Sequence, residues 1–418
     1  MKMLWRVLAP FWCLALAIVS TPEARSAERP QLQIINGTSE PIEVFWLKSD
    51  AERVSNGKVA PGGSRVITTT IGHRFAIVGD EGEEATIEAA LPAQAFRYQP
   101  SPEGETDEAE VIDGQVISPP KGAAVPSFYA KYISAGGYPI VGSERVSDYA
   151  LKEAAHLVNA MLAKRPDLRE AMIRSGSRLC VMAHDEYTTD LPEYQFLKRG
   201  RGKLEGVDAK EYWDARARGL GGSRTDPYCS CAEENLLGFP GDPYAAENIL
   251  IHEFAHNIHL RGVVNVDPTF DRRLREAFDK AMAGGLWKKT YASVNPHEYF
   301  AEGVQSWFDN NRENDSEHNH VNTRAELLEY DPDLAALCRE VFGETALTYT
   351  KPATRLVEHL AGYDPSRAPR FVWPPRLRKA QAEIRRSVQQ RNREADAQPP
   401  ADANAASEGA ASDQRGAP

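Results

Sequence analysis

The chain has 418 residues, which is too long for one ordinary domain and predicts two or three folded units. Hydrophobic residues make up 42% and charged residues 26% of it, as in typical globular proteins, so a sizeable core can form. The formal net charge is −11 and no stripe of Lys and Arg stands out, which argues against a nucleic-acid partner.

The N-terminal segment is typical of an export signal. Lys2 and Arg6 give a charged start, and a mostly apolar run follows over residues 7–19. Ala24 and Ser26 then offer small residues where a signal peptidase cleaves. The apolar run is too short to span a membrane, and no later stretch approaches 18 apolar residues. We therefore expect a signal peptide at 1–27, a secreted or periplasmic protein, and no stable membrane span.

Four cysteines lie beyond this signal, and an oxidising compartment predicts one or two disulfides among them. Cys229 and Cys231 are two residues apart, so a bond between them would be strained. Pairing of either one with Cys180 or Cys338 is favoured instead. The C-x₂-C spacing of a cysteine-rich zinc site is absent.

The segment after the signal alternates apolar and polar residues in short runs, separated by turn clusters such as Asn36-Gly37 and Pro61-Gly62-Gly63. Short strands at this spacing predict a small all-β sandwich over residues 28–98. Residues 99–125 are rich in Glu, Pro and Gly and have no periodicity, which predicts a linker.

From residue 126 to 375 the pattern becomes helical with occasional strands, so the predicted fold class is α+β. Residues 376–418 are polar, and we predict a largely disordered tail there. Gly262 is expected to end the predicted helix at residues 242–260. The individual predictions are helices at 147–162, 242–260 and 268–283, a helix from Asn295-Pro296 onward, and a buried strand at 179–183.

The motif His252-Glu253-Phe254-Ala255-His256 carries the chemistry of the predicted site. On a helix, residues four apart lie on one face, so both imidazoles can reach a single metal ion. Apolar residues three, four and seven apart give the same helix a separate stripe that faces the core. Because a five-residue pattern can arise by chance, a third ligand is needed to support a metal site.

His259 does not serve as that ligand, because it lies about 10 Å along the helix axis from His252. We expect it at the surface or in support of a ligand. The better candidate is Glu298, which shares a helix face with Glu302 four residues on. A capping box with Asn295 explains Glu298 but not Glu302. We therefore predict that Glu298 is the third ligand and that Glu302 orients a zinc-bound histidine through its remaining N–H.

The segment Tyr291–Glu302, YASVNPHEYFAE, resembles the corresponding stretch of the anthrax lethal-factor family of gluzincin peptidases. In that family a Tyr precedes the Glu ligand by seven residues, as Tyr291 precedes Glu298. His252, Glu253 and His256 match by type and order, with a weaker likeness at residues 137–141 and 146–148. The likeness does not extend to the parts of the lethal-factor toxin that recruit its receptor or its substrate, so toxicity is not implied.

This resemblance implies a zincin-like metallopeptidase domain at 126–375. It implies one Zn²⁺ held by His252, His256 and Glu298, with Glu253 as general base. It also implies that Tyr291 stabilises the oxyanion, and that the substrate is a protein or peptide. Two alternatives stay open: an extracellular peptide-binding or adhesion protein that uses its β module, and a zinc hydrolase that acts on a non-peptide amide.

The β module is similar to the β-domain of the von Hippel–Lindau tumour suppressor, from Val44 to Phe75. That domain binds a hydroxyproline-containing peptide, and Trp46, Thr69, His73 and Phe75 match or conservatively replace its pocket residues. Asn56 stands where that family has Tyr. The similarity implies docking of a Pro-rich extracellular protein, whereas the alternative makes Trp46 and Phe75 sandwich core.

Two further histidines, His318 and His320, lie in the polar stretch of residues 310–322. They resemble a minor metal site, but the surrounding Asn and Asp residues predict that both side chains are solvated.

Overall fold

The computed structural model describes residues 29–49, 51–99, 111–199 and 204–397. The predicted signal peptide, much of the predicted linker and the last 21 residues of the predicted tail lie outside these ranges. Within them the protein is α+β, which confirms the predicted class. Among the described helices none combines the length and the apolar character that crossing a membrane requires.

Seven strands fold residues 31–98 into two sheets. One sheet has the order β4-β1-β7, with β1 and β7 parallel, and the other is antiparallel throughout with the order β3-β2-β5-β6. Leu32 and Ile34 of the first sheet share one core with Val44, Phe75 and Ile77 of the second. The strands are β1 (Gln31–Asn36), β2 (Ile42–Leu47), β3 (Arg53–Val59), β4 (Ser64–Thr68), β5 (Arg74–Val78), β6 (Glu84–Glu88) and β7 (Ala93–Tyr98).

A third sheet lies in the helical part of the chain. Its strands are β8 (Lys131–Ala135), β9 (Tyr138–Gly142), β10 (Arg178–Met182) and β11 (Tyr228–Ala232), in the order β11-β10-β9-β8. Strands β9, β10 and β11 are parallel, and all five residues of β10 are buried, as expected of a strand covered on both faces. Beyond β11, Leu220 forms an antiparallel bridge with Ser230. On the other side Ile117, from the predicted linker, bridges Tyr132 of β8.

Most helices follow this sheet in the chain. The α-helices are α1 (Asp148–Met161), α2 (Pro166–Arg174), α3 (Ala209–Arg216), α4 (Glu233–Leu237), α5 (Ile249–Asn257), α6 (Val264–Val266), α7 (Phe270–Ala283), α8 (Pro296–Trp307), α9 (Arg324–Tyr330), α10 (Pro332–Phe342) and α11 (Arg378–Ala397). A π-helical turn, Ile258–Val263, joins α5 to α6. Short 3-10 turns lie at Lys121–Ala123, Thr188–Asp190, Pro192–Arg199, Tyr291–Ser293, Pro352–Thr354, Glu358–Leu360, Pro365–Arg367 and Pro375–Leu377.

The helix that carries the HExxH motif differs from its prediction at both ends. It starts at Ile249, because the Asn248 side chain accepts the Ile251 N–H and caps the first turn. Residues 243–247 form turns, one of them held by the side chain of Asp242. Gly262 does not end the helix: a Cβ there would lie 3.1 Å from Cγ of Met172, so glycine permits close packing against α2.

The predicted disulfides are wrong for the described cysteines, which are all free, buried thiols. In the parallel pairing of β10 with β11, Cys180 lies opposite Ser230, whereas Cys229 lies opposite Leu179. Side chains alternate between the faces of a strand, so Cys180 points away from both cysteines of β11. Cys338 lies on α10 within the core of the helical part.

The predicted disorder of the tail does not hold for its first half. Residues Arg378–Ala397 form α11, and Leu377 and Ala380 are buried in a small core with Tyr187 and Ala215. This core attaches the C-terminal helix to the region of α3.

The β module contacts the helical part through β7. The Asn265 side chain accepts the Ala93 N–H at 2.8 Å and donates to the Ala93 carbonyl at 3.0 Å. The Ala95 N–H donates to the carbonyl of Ser175, and Ala93 packs with Leu260 and Val264. The sandwich is therefore joined to the segment that continues directly from the HExxH helix.

Candidate metal centre

Two helices bring the predicted ligands together. His252 and His256 lie one turn apart on α5, and Glu298 lies in the first turn of α8, which Asn295 caps with its side chain. The two helices pack against each other through fully buried residues. These are Ile251, Phe254, Ala255 and Ile258 from the α5 side and Phe300, Val304 and Trp307 from α8. Because these stripes fix the contact between the helices, the polar residues beside them converge.

The ligand atoms have the spacing of a tetrahedral zinc site. Glu298 Oε2 lies 3.2 Å from His252 Nε2 and 3.1 Å from His256 Nε2. The two Nε2 atoms are 3.3 Å apart. Zinc–ligand bonds of about 2.0–2.1 Å at tetrahedral angles separate neighbouring ligand atoms by about 3.3 Å. The spacing of His252, His256 and Glu298 therefore fits a single metal ion such as zinc, and all three residues line the same cavity.

The second nitrogen of His252 faces a different partner from the predicted one. Nδ1 lies 2.8 Å from Oε1 of Gln305 and 3.5 Å from Oε1 of Glu302, so Gln305 accepts the hydrogen bond and Glu302 is only a near neighbour. With the proton on Nδ1, the Nε2 lone pair is available to a metal. Gln305 itself donates to Glu247 at 2.9 Å.

Glu302 is buried, and the carboxylate oxygen that does not face His252 is held by other residues. Asn311 donates to its Oε2 at 3.0 Å, and Nε2 of His318 lies 3.4 Å from the same oxygen. Burial opposes ionisation of Glu302, but His318 outweighs it and the pKa of the carboxyl is lowered. The prediction that His318 is solvated is therefore wrong, since its side chain is only 7% exposed. His320 is exposed, as predicted, with its ring edge-on to Tyr330.

Electrostatics in the centre favour a cation. Burial alone would lower the pKa of His252, but Glu298 and the neighbouring carboxylates raise it to about 10. The Glu298 pKa is strongly lowered: burial opposes ionisation, and the two histidines outweigh it. Burial raises the pKa of Glu253, whose carboxylate borders the same open cavity of about 430 Å³. A carboxylate with a raised pKa beside a cation site is suited to accept a proton.

Tyr291 reaches the centre from the 3-10 turn before α8. Its hydroxyl donates to Glu298 Oε1 at 3.2 Å, and the hydroxyl oxygen accepts from Nη2 of Arg216 at 3.3 Å. Burial raises the pKa of Tyr291, whereas Arg216 lowers it. Sequence reasoning missed Arg216, because it lies at the end of α3 and belongs to no motif.

One wall of the cavity is formed by glycine backbone. Residues 219–222 lie directly on α5: a Cβ on Gly221 would be 2.6 Å from Cβ of His256, and one on Gly219 would be 2.9 Å from Cγ of Glu253. Leu220 uses its N–H and carbonyl to pair with Ser230. Gly221 lines the cavity and makes no backbone–backbone hydrogen bond within the described ranges, so its N–H and carbonyl lie at an unpaired edge there.

His259 lies outside the ligand set, and the expectation of a surface position is wrong for it. Its side chain is fully buried, and Nε2 lies 2.6 Å from Oδ1 of Asp271. Burial lowers its pKa despite that partner. The ring packs beside His297, Phe270 and Phe300 and so supports the junction of α5, α7 and α8.

Three of the four residues predicted to bind peptide in the β module form one cluster. The rings of Trp46 and His73 are 4.9 Å apart, and Thr69 Oγ1 lies 3.1 Å from His73 Nδ1. Trp46 is partly buried, whereas Phe75 is only 2% exposed and belongs to the sandwich core. Phe75 therefore lacks the exposed face that a peptide would contact.

Comparison with known protein families found no matching family model. A search of curated proteins likewise found no match to the chain.

Proposed function

We propose that the protein is an exported zinc endopeptidase that hydrolyses peptide bonds in proteins or peptides. The observation that carries the proposal is the ligand triangle of His252, His256 and Glu298, with sides of 3.1 to 3.3 Å, beside Glu253 in an open cavity. The likeness to the anthrax lethal-factor family supports a gluzincin-type, zincin-like domain at residues 126–375.

Zinc at this site would act as a Lewis acid and bring the pKa of a water ligand to about 7. Glu253 takes a proton from the attacking water at its carboxylate and delivers it to the leaving nitrogen as the C–N bond breaks. Tyr291 turns its hydroxyl from Glu298 toward the oxygen of the scissile carbonyl, where negative charge develops. Arg216 donates to the same hydroxyl oxygen, which makes Tyr291 a stronger donor.

The glycine wall supports a peptide substrate over a small non-peptide amide. The N–H and carbonyl groups of Gly221, which make no backbone–backbone hydrogen bond within the described ranges, can pair with an extended chain, as a sheet edge does. Such pairing would lay several residues of substrate across the cavity. A small amide has no comparable backbone to offer.

Metal removal tests the proposal. We expect the purified protein to contain one zinc per chain and to cleave an unfolded substrate such as casein. A chelator should abolish both the bound zinc and the cleavage, and added zinc should restore them, because water activation depends on the metal. Zinc content is measured by atomic emission and cleavage by mass spectrometry of the products. Undiminished cleavage by the zinc-free protein would exclude this mechanism.

For the β module we propose docking of a Pro-rich or hydroxyproline-containing segment near the peptidase site. The Trp46–His73 pair supports this, since a partly buried aromatic surface suits a proline ring, and the buried Thr69 holds the His73 ring in place through its hydroxyl. This cluster is also the one observation that favours a binding or adhesion role in place of catalysis.

Calorimetric titration tests the docking proposal. The full-length chain carrying Glu253→Gln, to prevent cleavage, is titrated with matched proline and hydroxyproline peptides. We expect heat of binding that disappears when Trp46→Ala is added, because the aromatic surface is then lost. No heat at millimolar peptide would end the docking proposal and leave the peptidase proposal untouched.

A further inference from the structure

The loop between α8 and α9 contains a carboxylate with two separate sets of partners. Oδ2 of Asp315 accepts from Nε of Arg312 at 2.8 Å. Oδ1 lies 2.8 Å from Nδ1 of His318 and also accepts the backbone N–H groups of Glu317 and His318, at 2.8 and 3.0 Å. Both carboxylate oxygens are therefore engaged, one by a guanidinium and one by a turn.

The contact between Asp315 and Arg312 continues through further contacts to the predicted metal ligand His252. Nη1 of Arg312 lies 3.3 Å from Oε1 of Glu247, and the other oxygen of Glu247 accepts from Nε2 of Gln305 at 2.9 Å. An amide whose NH₂ group is held in this way must present its oxygen in the opposite direction. That oxygen accepts from Nδ1 of His252 at 2.8 Å.

The contacts of Asp315 within the turn continue to Nδ1 of His252 and to Tyr291. Nε2 of His318 lies 3.4 Å from Oε2 of Glu302, whose other oxygen is 3.5 Å from Nδ1 of His252. Within the same turn, the carbonyl of Glu317 accepts the backbone N–H of Tyr291 at 2.7 Å. One turn therefore supports a predicted zinc ligand and the predicted oxyanion donor together.

We propose that Asp315 is a positioning residue for the metal centre: it fixes both acceptors that face His252 and the carbonyl that holds Tyr291. The proposal rests on the zinc site proposed above. Asp315 touches neither metal nor substrate, so its effect must pass through Gln305, Glu302 and the Tyr291 backbone. A positioning role differs from a general stabilising role, because it predicts that a substitution of Asp315 changes the zinc affinity of the folded protein.

The test measures zinc affinity by chelator competition, together with the melting temperature of the zinc-free chain. Asp315→Asn keeps an oxygen that can accept from the turn but loses the anionic partner of Arg312. We expect its zinc Kd to rise about tenfold, at the lower end of the effects seen for outer contacts of metal ligands. In the zinc-saturated enzyme kcat should fall severalfold with KM unchanged, because a neutral amide holds the turn, and with it the Glu317 carbonyl that fixes Tyr291, less firmly than a carboxylate does.

Asp267→Asn is the matched control. Asp267 accepts the Thr269 N–H in a similar turn and pairs with Arg273 at 2.6 Å, but it has no contact with the metal centre. We expect this variant to lose comparable stability and to bind zinc like the wild type. The effect of Arg312→Gln on zinc Kd should vanish when Gln305→Ala is already present, because both lie on one path.

The outcomes separate this inference from the proposed function. A zinc Kd for Asp315→Asn within about twofold of a tightly binding wild type would overturn the inference alone. A wild type that binds no zinc would overturn both. Should Asp315→Asn fail to fold, Arg312→Gln and His318→Gln each interrupt one path, and unchanged zinc affinity in both would refute the positioning role.

Discussion

Replacing Glu253 with Gln is expected to lower peptide hydrolysis by about 10²–10⁴-fold while one zinc stays bound per chain. The amide has nearly the shape of the carboxylate but cannot take a proton from water. Glu253 is not among the three residues that fit the metal, so zinc content should not change. The measurement pairs zinc analysis with kcat/KM on a quenched fluorescent peptide.

Glu276→Gln is the appropriate control for this variant. Its carboxylate is exposed on α7, where it pairs with Arg272 one turn away, and its loss should leave kcat/KM unchanged. Equal cleavage by the wild type and by Glu253→Gln would contradict the proposed role of Glu253. Loss of zinc from the variant would instead show that Glu253 helps to hold the metal.

Glu298→Gln is expected to weaken zinc binding by more than the roughly 10–100-fold effect of losing an outer contact. The variant removes the anionic ligand whose Oε2 lies within 3.2 Å of both imidazoles. A ligand that binds only the folded state stabilises it by about 4 kcal/mol at 1,000 times its Kd. We therefore expect the zinc-induced rise in melting temperature of the wild type to be largely absent in the variant.

Glu326→Gln tests whether such an effect is only one of helix capping. Glu326 occupies the third position of α9, as Glu298 does in α8, and it closes a capping box with Thr323. Its replacement should lower the melting temperature with and without zinc by the same amount. If Glu298→Gln behaved in that way too, Glu298 would be a capping residue and not a ligand.

Local periodicity explains how much of the centre could be predicted from the sequence. The four-residue spacing of His252 and His256 fixes a common helix face whatever the rest of the fold. Asn295 followed by proline predicted the start of α8, and the structure has that start, so Glu298 lies in the first turn. These inferences needed no knowledge of how the two helices cross.

Contacts between elements could not be predicted in this way. Glu302 and Gln305 both lie on the inward side of α8, and only the packing distance to α5 decides which one reaches Nδ1 of His252. Arg216 reaches the centre from α3. Asp315 lies in a polar loop whose sequence is typical of solvated residues. The disulfide prediction followed from the expected compartment, whereas the faces of β10 and β11 decide that Cys180 and Cys229 point apart.

The glycine wall formed by residues 219–222 has a consequence for the proteins that the proposed peptidase could cleave. Pairing with the main chain of Gly221 does not depend on the side chains of the substrate. Any sequence preference must therefore come from the side chains that also line the cavity, among them Leu220, Asn295 and His297. Pairing with this wall also requires a substrate segment whose own main-chain N–H and carbonyl groups make no other hydrogen bonds. Helices and interior strands do not meet that requirement, so cleavage should concentrate in flexible tails, interdomain linkers and denatured chains. A side chain at Gly221 would collide with His256. Changes in sequence preference should therefore arise from substitutions elsewhere in the cavity lining.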